Sequence, residues 1–198
     1  MARRLLSILL ALVIVIILVG FFLPREVTVQ RTRLIDAPPE RVHAVLEDLR
    51  YFSQWSPWYA RTPDAGYRLE GPSSGPGATL SWQDERGSGA GRLWIVASQA
   101  PESIDLKLEL GDTEADNFFR IGPADGGSSV TWGMRMRFGT FDLTGRYIGL
   151  MLPNLVGNDY REGLDRLADY LDAFPGSMPP VPEGIEASDF PSRPDGGS

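Results

Sequence analysis

Hydrophobic and polar positions fall into three regimes along the chain. The first runs from Leu5 to Leu23 without one charge. As a helix at about 1.5 Å per residue it spans roughly 28 Å, close to the ~30 Å hydrocarbon core of a bilayer. A helix also satisfies its own backbone hydrogen bonds in lipid. Arg3 and Arg4 precede the run. The bias of basic residues toward the cytoplasm then puts the amino terminus inside and everything after Pro24 across the cell membrane. A cleaved signal peptide is the competing reading, but the apolar run is long for one and no A-x-A-like site follows. Residues 1–24 are therefore expected to be an uncleaved single-pass anchor, touching lipid over residues 5–23.

The second regime has short periods. "EVTVQRTRLI" alternates and is rich in β-branched residues, as a first strand would be. "DAPPERVHAVLEDL" follows, with prolines suited to a helix entry and Val42, Val45, Leu46 and Leu49 at helical spacing. A second short helix is expected over Leu49 to Gln54, ending before Pro57. Turn-rich segments then separate six expected strands at Tyr67–Glu70, Ala78–Gln83, Gly91–Gln99, Ser103–Glu109, Asn117–Gly122 and Ser128–Phe138. "SIDLKLEL" and "VTWGMRMRF" each place apolar side chains on one face and charges on the other, so the sheet has one dry face that needs a cover. From Tyr160 a stripe of Leu164, Leu167, Ala168, Leu171 and Phe174 supplies it, and Asp159 and Glu162 have capping-box spacing. The expected domain, residues 25–174, is α+β: an antiparallel sheet wrapped round a long carboxy-terminal helix.

The third regime, residues 175–198, is dense in Pro, Gly and Ser with no apolar period. It buries too little surface to offset its ordering entropy and is expected to be a disordered or extended tail.

Composition narrows the chemistry. The 198 residues carry a formal net charge of −7 and no basic block in the soluble part, which argues against nucleic acid as a partner. There is no cysteine and one histidine, so thiol chemistry is excluded and a histidine triad or metal cage has little to build on. His43 falls beside the apolar stripe of its helix and is expected at an exposed or rim position. "DTEAD", Asp112 to Asp116, lacks calcium-loop spacing and reads as a hairpin turn. The glycine-rich "GPSSGPG" and "GSGAG" do not lead from a strand into a helix and are not phosphate loops. Arg31 and Arg33 share a face of the first strand with Val27, Val29 and Ile35. If that face is inward they need a carboxylate or an anionic head group. The stretch Thr140 to Gly157 is apolar and broken by Gly149 and Pro153. It reads as a kinked helix packed in the core, a mobile lid, or a lipid-contacting segment.

Three local sequences, "IDAPPERVHAVLEDLRYFSQWSPW", "GPGATLSW" and "FDLTGRYIGLMLPNLVGNDYREGLDRLADYL", occur in this order. In that combination the chain resembles the SRPBCC (START-like) superfamily over about Glu26 to Phe174, specifically its polyketide cyclase/dehydrase and lipid-transport group. The resemblance implies a helix-grip fold with a hydrophobic cavity between sheet and last helix. The expected function is then a membrane-anchored binding module for a lipid or other hydrophobic small molecule, without cofactor, metal or assigned catalytic residue. Two alternatives stay open. One is a cyclase or dehydratase using cavity tyrosines and carboxylates as acid and base, with Tyr147 and Tyr160 as conceivable actors; the other is a scaffold whose core Trp82, Trp94, Trp132 and several phenylalanines simply fill. Nothing in the sequence identifies a protein partner. The candidate cavity or rim residues are Trp55, Trp58, Trp82, Trp94, Trp132, Met134, Met136, Tyr147, Met151, Tyr160 and Leu164. Within "WSPW", Trp55 is expected in the core and Trp58, past the proline, at the opening.

Overall fold

Alternation along the strands becomes one continuous sheet in the computed structural model, which describes residues 2–84, 89–111, 113–182 and 185–187. Helix α1 (Ala2–Phe22) leads into β1 (Glu26–Ile35). Helix α2 (Pro39–Glu47), a 3-10 turn (Leu49–Tyr51), α3 (Phe52–Trp55) and α4 (Pro57–Arg61) follow. Six strands come next: β2 (Arg68–Glu70), β3 (Thr79–Asp84), β4 (Gly89–Gln99), β5 (Ser103–Leu110), β6 (Thr113–Ala124) and β7 (Gly127–Arg137). Helices α5 (Leu143–Gly149) and α6 (Leu152–Asp172) and the two-residue β8 (Glu186–Ala187) complete the order. The strands lie as β1-β7-β6-β5-β4-β3-β2-β8, antiparallel throughout except for β2 with β8. The register of β4 on β5 shifts between Ile95 and Ala97, a bulge of the kind that bends a strand.

The two faces separate as the alternation requires. Ile104, Leu106, Val130, Trp132 and Met134 are buried on the inner face. The outer face is laced with ion pairs, Asp105 with Arg120 at 2.6 Å, Arg92 with Glu109 at 2.8 Å and Lys107 with Glu114. Arg135 and Arg137 both reach Glu26, at 3.3 and 3.0 Å. β1 is an edge strand with its odd positions inward, so Arg31 and Arg33 do face α6. Arg33 meets Asp165 at 2.5 Å and Arg31 donates to the Pro153 carbonyl at 3.2 Å. Both lie along the last helix.

Three local expectations change. The second short helix ends before Pro57 as expected, as a 3-10 turn and α3, but a further helix follows it, because Ser56 caps α4 by accepting from the Tyr59 amide at 3.3 Å and Pro57 occupies the first helical position, where no N–H is needed. The last helix starts eight residues earlier than its stripe, at Leu152 rather than Tyr160. Pro153 is tolerated in the first turn for the same reason, which leaves Asp159 and Glu162 inside the helix, free to pair with Arg61 instead of capping. His43 is buried at 2% exposure, its Nε2 3.1 Å from the Ser98 hydroxyl, because α2 lies flat on the sheet.

The chain beyond Phe174 runs back over the domain. Tyr51 donates to the Pro179 carbonyl at 2.8 Å and Tyr170 to that of Pro180 at 3.2 Å. Ile185 packs on the core and β8 extends the sheet. Residues 183–184 and 188–198 of the expected tail lie outside the described residues.

Candidate functional site

Trp132, in the middle of β7, organises the interior. Its indole stacks on Tyr160 of α6 (ring centroids 4.2 Å apart, 17° between planes) and on Phe119 of β6 (5.2 Å, 27°). Trp55 and Trp58 meet it edge-on at 5.3 and 5.4 Å, the geometry the ring quadrupoles favour. The close approach of α6 depends on Gly163: a Cβ there would lie 2.5 Å from the Trp132 ring and 3.2 Å from Pro57.

This aromatic stack fills one part of the grip. Beside it lies a cavity of about 420 Å³. Its walls come from four directions. Leu108, Leu110 and Ala115 stand on β5 and β6, Met134 and Met136 on β7, Leu152, Val156 and Tyr160 on the first half of α6, and Phe52 and Trp58 on α3 and α4. Tyr67 and Trp82 complete the lining from the far side, Trp82 lying flat over Gly91, where a Cβ would sit 2.2 Å from the ring. The surface is almost wholly apolar. A space of about 30 Å³, enough for one small group, continues toward Trp55, Asn117 and Phe119.

Besides the Thr62, Tyr67 and Thr113 hydroxyls, polar groups gather at the rim and at the floor. At the rim, Asp159 accepts from the Trp58 indole N–H at 3.1 Å and pairs with Arg61 at 2.8 Å; Arg61 also reaches Glu162 at 2.7 Å. The Arg61 hydrogen bond, with a smaller contribution from Arg166, holds the Glu162 carboxyl below its ordinary range. At the floor, the Tyr160 hydroxyl donates to Asn117 Oδ1 at 2.8 Å. Burial, reinforced by the Asp159 charge, pushes the Tyr160 phenol far above its ordinary value. The Asn117 amide Nδ2 and the Trp55 Nε1 are buried without a hydrogen-bond partner, and both residues border the small space.

Of the eleven candidate residues, Trp58, Trp82, Met134, Met136 and Tyr160 line the cavity together. Trp55 and Trp132 form its aromatic floor. The other four depart from expectation. Trp94 is on the outer face, with the Arg92 guanidinium 4.5 Å over its ring, because Leu93 and Ile95 take the inward positions. Leu164 is sealed in the core, one turn beyond the cavity. Tyr147 bonds to α1, and Met151 is 59% exposed. Phe52, Tyr67, Leu108, Val156 and the Arg61–Asp159 pair line the cavity without having been singled out; only the inward period of β5 marked Leu108. Among the described residues no cluster of three or more His, Asp or Glu side chains could hold a metal.

A second, larger space of about 770 Å³ lies on the other side of Trp82, lined by Arg61, Asp64, Arg68, Glu70 and neighbours. It is a half-polar groove. The smaller cavity has the apolar lining of ligand sites.

Comparison with known proteins agrees with this architecture. No curated protein sequence matches the chain. Protein CV1439 from Chromobacterium violaceum superposes with a TM-score of 0.52 at 15% identity, covering 72% of this chain and 96% of that one. Protein Ms6760 from Mycobacterium smegmatis gives 0.52 at 20%, covering 74% and 92%. The di-domain ARO/CYC StfQ from the steffimycin biosynthetic pathway gives 0.55 at 13%, covering 77% of this chain and 52% of that one. At these identities the likeness is one of fold. The sequence itself matches the family model described as polyketide cyclase / dehydrase and lipid transport over residues 26–172. That span takes in strands β1 to β7, the aromatic floor and the cavity-lining half of α6, and the chain belongs to that family.

Proposed function

We propose that this protein is a binding module for a lipid or other apolar small molecule, held beside a membrane by α1. The observation that carries the reading is the 420 Å³ apolar cavity left open beside an aromatic stack that fills the rest of the grip. Its volume lies in the range of small-molecule sites. Burial alone supplies the affinity, at about 0.8 kcal/mol for each CH₂ withdrawn from water. The unpartnered Asn117 and Trp55 N–H groups favour a ligand whose inner end carries an oxygen acceptor, since an unmet buried donor costs about 1–3 kcal/mol. The anchor confines exchange to one bilayer; α1 is long and apolar enough to cross it.

A second reading, chemistry of the cyclase or dehydratase type, has one observation in its favour: Asp159 and Tyr160, adjacent on α6, both line the cavity. Both Asp159 oxygens are engaged, by Arg61 and by Trp58, and the Tyr160 proton is held tightly, so substrate would have to displace those partners.

Titration of the full chain in detergent with the fluorescent polyene cis-parinaric acid tests the binding reading. Saturable energy transfer from tryptophan is expected, and it is lost in Val156→Trp, which fills the cavity. Equal binding by that variant would place the probe elsewhere and remove the support.

A further inference from the structure

Helix α1 does not stand apart from the domain. The Tyr147 hydroxyl of α5 donates to the Ile16 carbonyl at 2.6 Å. Arg146, 1% exposed, donates to the carbonyls of Gly20 and Phe21 at 3.4 and 3.2 Å and to those of Gly139 and Thr140 at 3.1 and 2.7 Å. Those α1 carbonyls are among the acceptors a helix end leaves without internal partners, and the helix dipole favours a cation there. Gly20 makes the approach possible: a Cβ on it would lie 3.2 Å from the Tyr147 ring and 3.3 Å from Leu143.

The direction of α5 matters more than the contact itself. Leu143 sits beside Gly20, whereas Tyr147 reaches back to Ile16. Ile16 precedes Phe22 by six residues, about 9 Å along the helix. Helix α5 runs from the end of the anchor toward the base of β1, where Gly149 lies against Val27 and Phe138, and the turn into α6 stands beside the anchor's exit. That turn exposes Ile148, Leu150, Met151 and Leu155, each at least half exposed. From Gly139 to Gly157 the only charges are Asp142, at the amino-terminal end of α5, and Arg146, which is turned inward onto carbonyls.

We infer that the α5–α6 turn, with Ile148, Leu150, Met151 and Leu155 at its tip, is inserted into the acyl region of the same bilayer that α1 crosses. The inference rests on the reading of α1 as a membrane span. With α1 in place the tip stands beside the point at which the anchor leaves the hydrocarbon, so its exposed apolar side chains are within reach of lipid. Arg146 gives the Phe21 and Thr140 carbonyls, at the end of the anchor, a donor. The first turn of α6 then divides two apolar environments: Leu152 and Val156 face the cavity, Met151 and Leu155 face acyl chains. A ligand leaving between them passes from one to the other without crossing water.

The chain has no cysteine, so single-cysteine variants carry one label each. Full-length Met151→Cys, Leu12→Cys and Val96→Cys, all at exposed positions, are labelled with the environment-sensitive dye NBD. They are reconstituted in phosphatidylcholine vesicles with or without nitroxide-bearing acyl chains. The dye at 12 and at 151 is expected to lose most of its emission to the nitroxide, and the dye at 96 to keep it. Quenching at 12 but not at 151 overturns the inserted turn and leaves the anchor standing. Quenching at neither overturns both. Quenching at 96 as strong as at 151 shows non-specific adsorption and overturns the inserted turn.

Discussion

The Tyr160 hydroxyl donates to the Asn117 side-chain carbonyl at 2.8 Å, joining the last helix to the centre of the sheet through the middle of an otherwise apolar interior. The bond fixes the ring that Trp132 stacks on and sets the depth of the cavity floor. Tyr160→Phe keeps the stack and strands the Asn117 oxygen. A loss of about 1–3 kcal/mol in denaturant unfolding is expected. A loss below a few tenths would mean the bond does not hold the floor.

The same hydroxyl makes a pH prediction. Burial raises the folded-state pKa of Tyr160 above the ordinary phenol value of 10.0. The folded state therefore holds this proton more tightly than the unfolded chain. Its stabilisation is complete below pH 10 and is lost as pH climbs above it, by up to about 1.4 kcal/mol per unit. Stability measured from pH 8 to 11 should fall more steeply in the wild type than in Tyr160→Phe; parallel curves would contradict the assignment.

Two glycines of α6 should behave differently. A Cβ at Gly163 meets the rigid Trp132 ring at 2.5 Å, whereas one at Gly157 meets the mobile end of Arg31 at 2.2 Å. Gly163→Ala is expected to cost about 1–3 kcal/mol through overpacking. Gly157→Ala should be near neutral, because the guanidinium can move and alanine favours the helix. Thermal unfolding of the two variants compares them directly, and equal effects would contradict the packing described.

The tryptophans flanking Ser56 and Pro57 divide between two roles. Trp55 is 3% exposed and touches Phe52, Phe119 and Trp132, so Trp55→Ala should cost about 3–5 kcal/mol. Trp58 is half-buried, lines the cavity and is tied to Asp159. Trp58→Phe should lower stability less and weaken retention of an apolar probe more, read as midpoint shift against probe affinity in the same preparations. The reverse order would sink the division.

Much of this was legible in the primary structure because period-2 alternation and a terminal apolar stripe are local signals. They located seven strands and the helix that covers them. The cavity was legible in part. Met134, Met136 and Tyr160 follow from inward periods, and Trp58 from its place after a proline. Trp94 was assigned by residue type against the alternation of Leu93 and Ile95, which already pointed it outward. Arg146 carried no signal, since its partners are backbone carbonyls, two of them in α1 far along the chain. The Arg61–Asp159 pair joins α4 to α6 across a hundred residues and could not be read from spacing. Whether a grip is filled or hollow depends on how large side chains from seven elements fit together, which no local pattern encodes.

Native mass spectrometry of the full chain, released gently from the membrane of its expression host, tests the central claim most directly. A bound apolar species at one per chain is predicted, absent from Val156→Trp purified in parallel. Wild-type protein that is always bare, and that takes up nothing from a panel of lipids and apolar metabolites, would contradict the account.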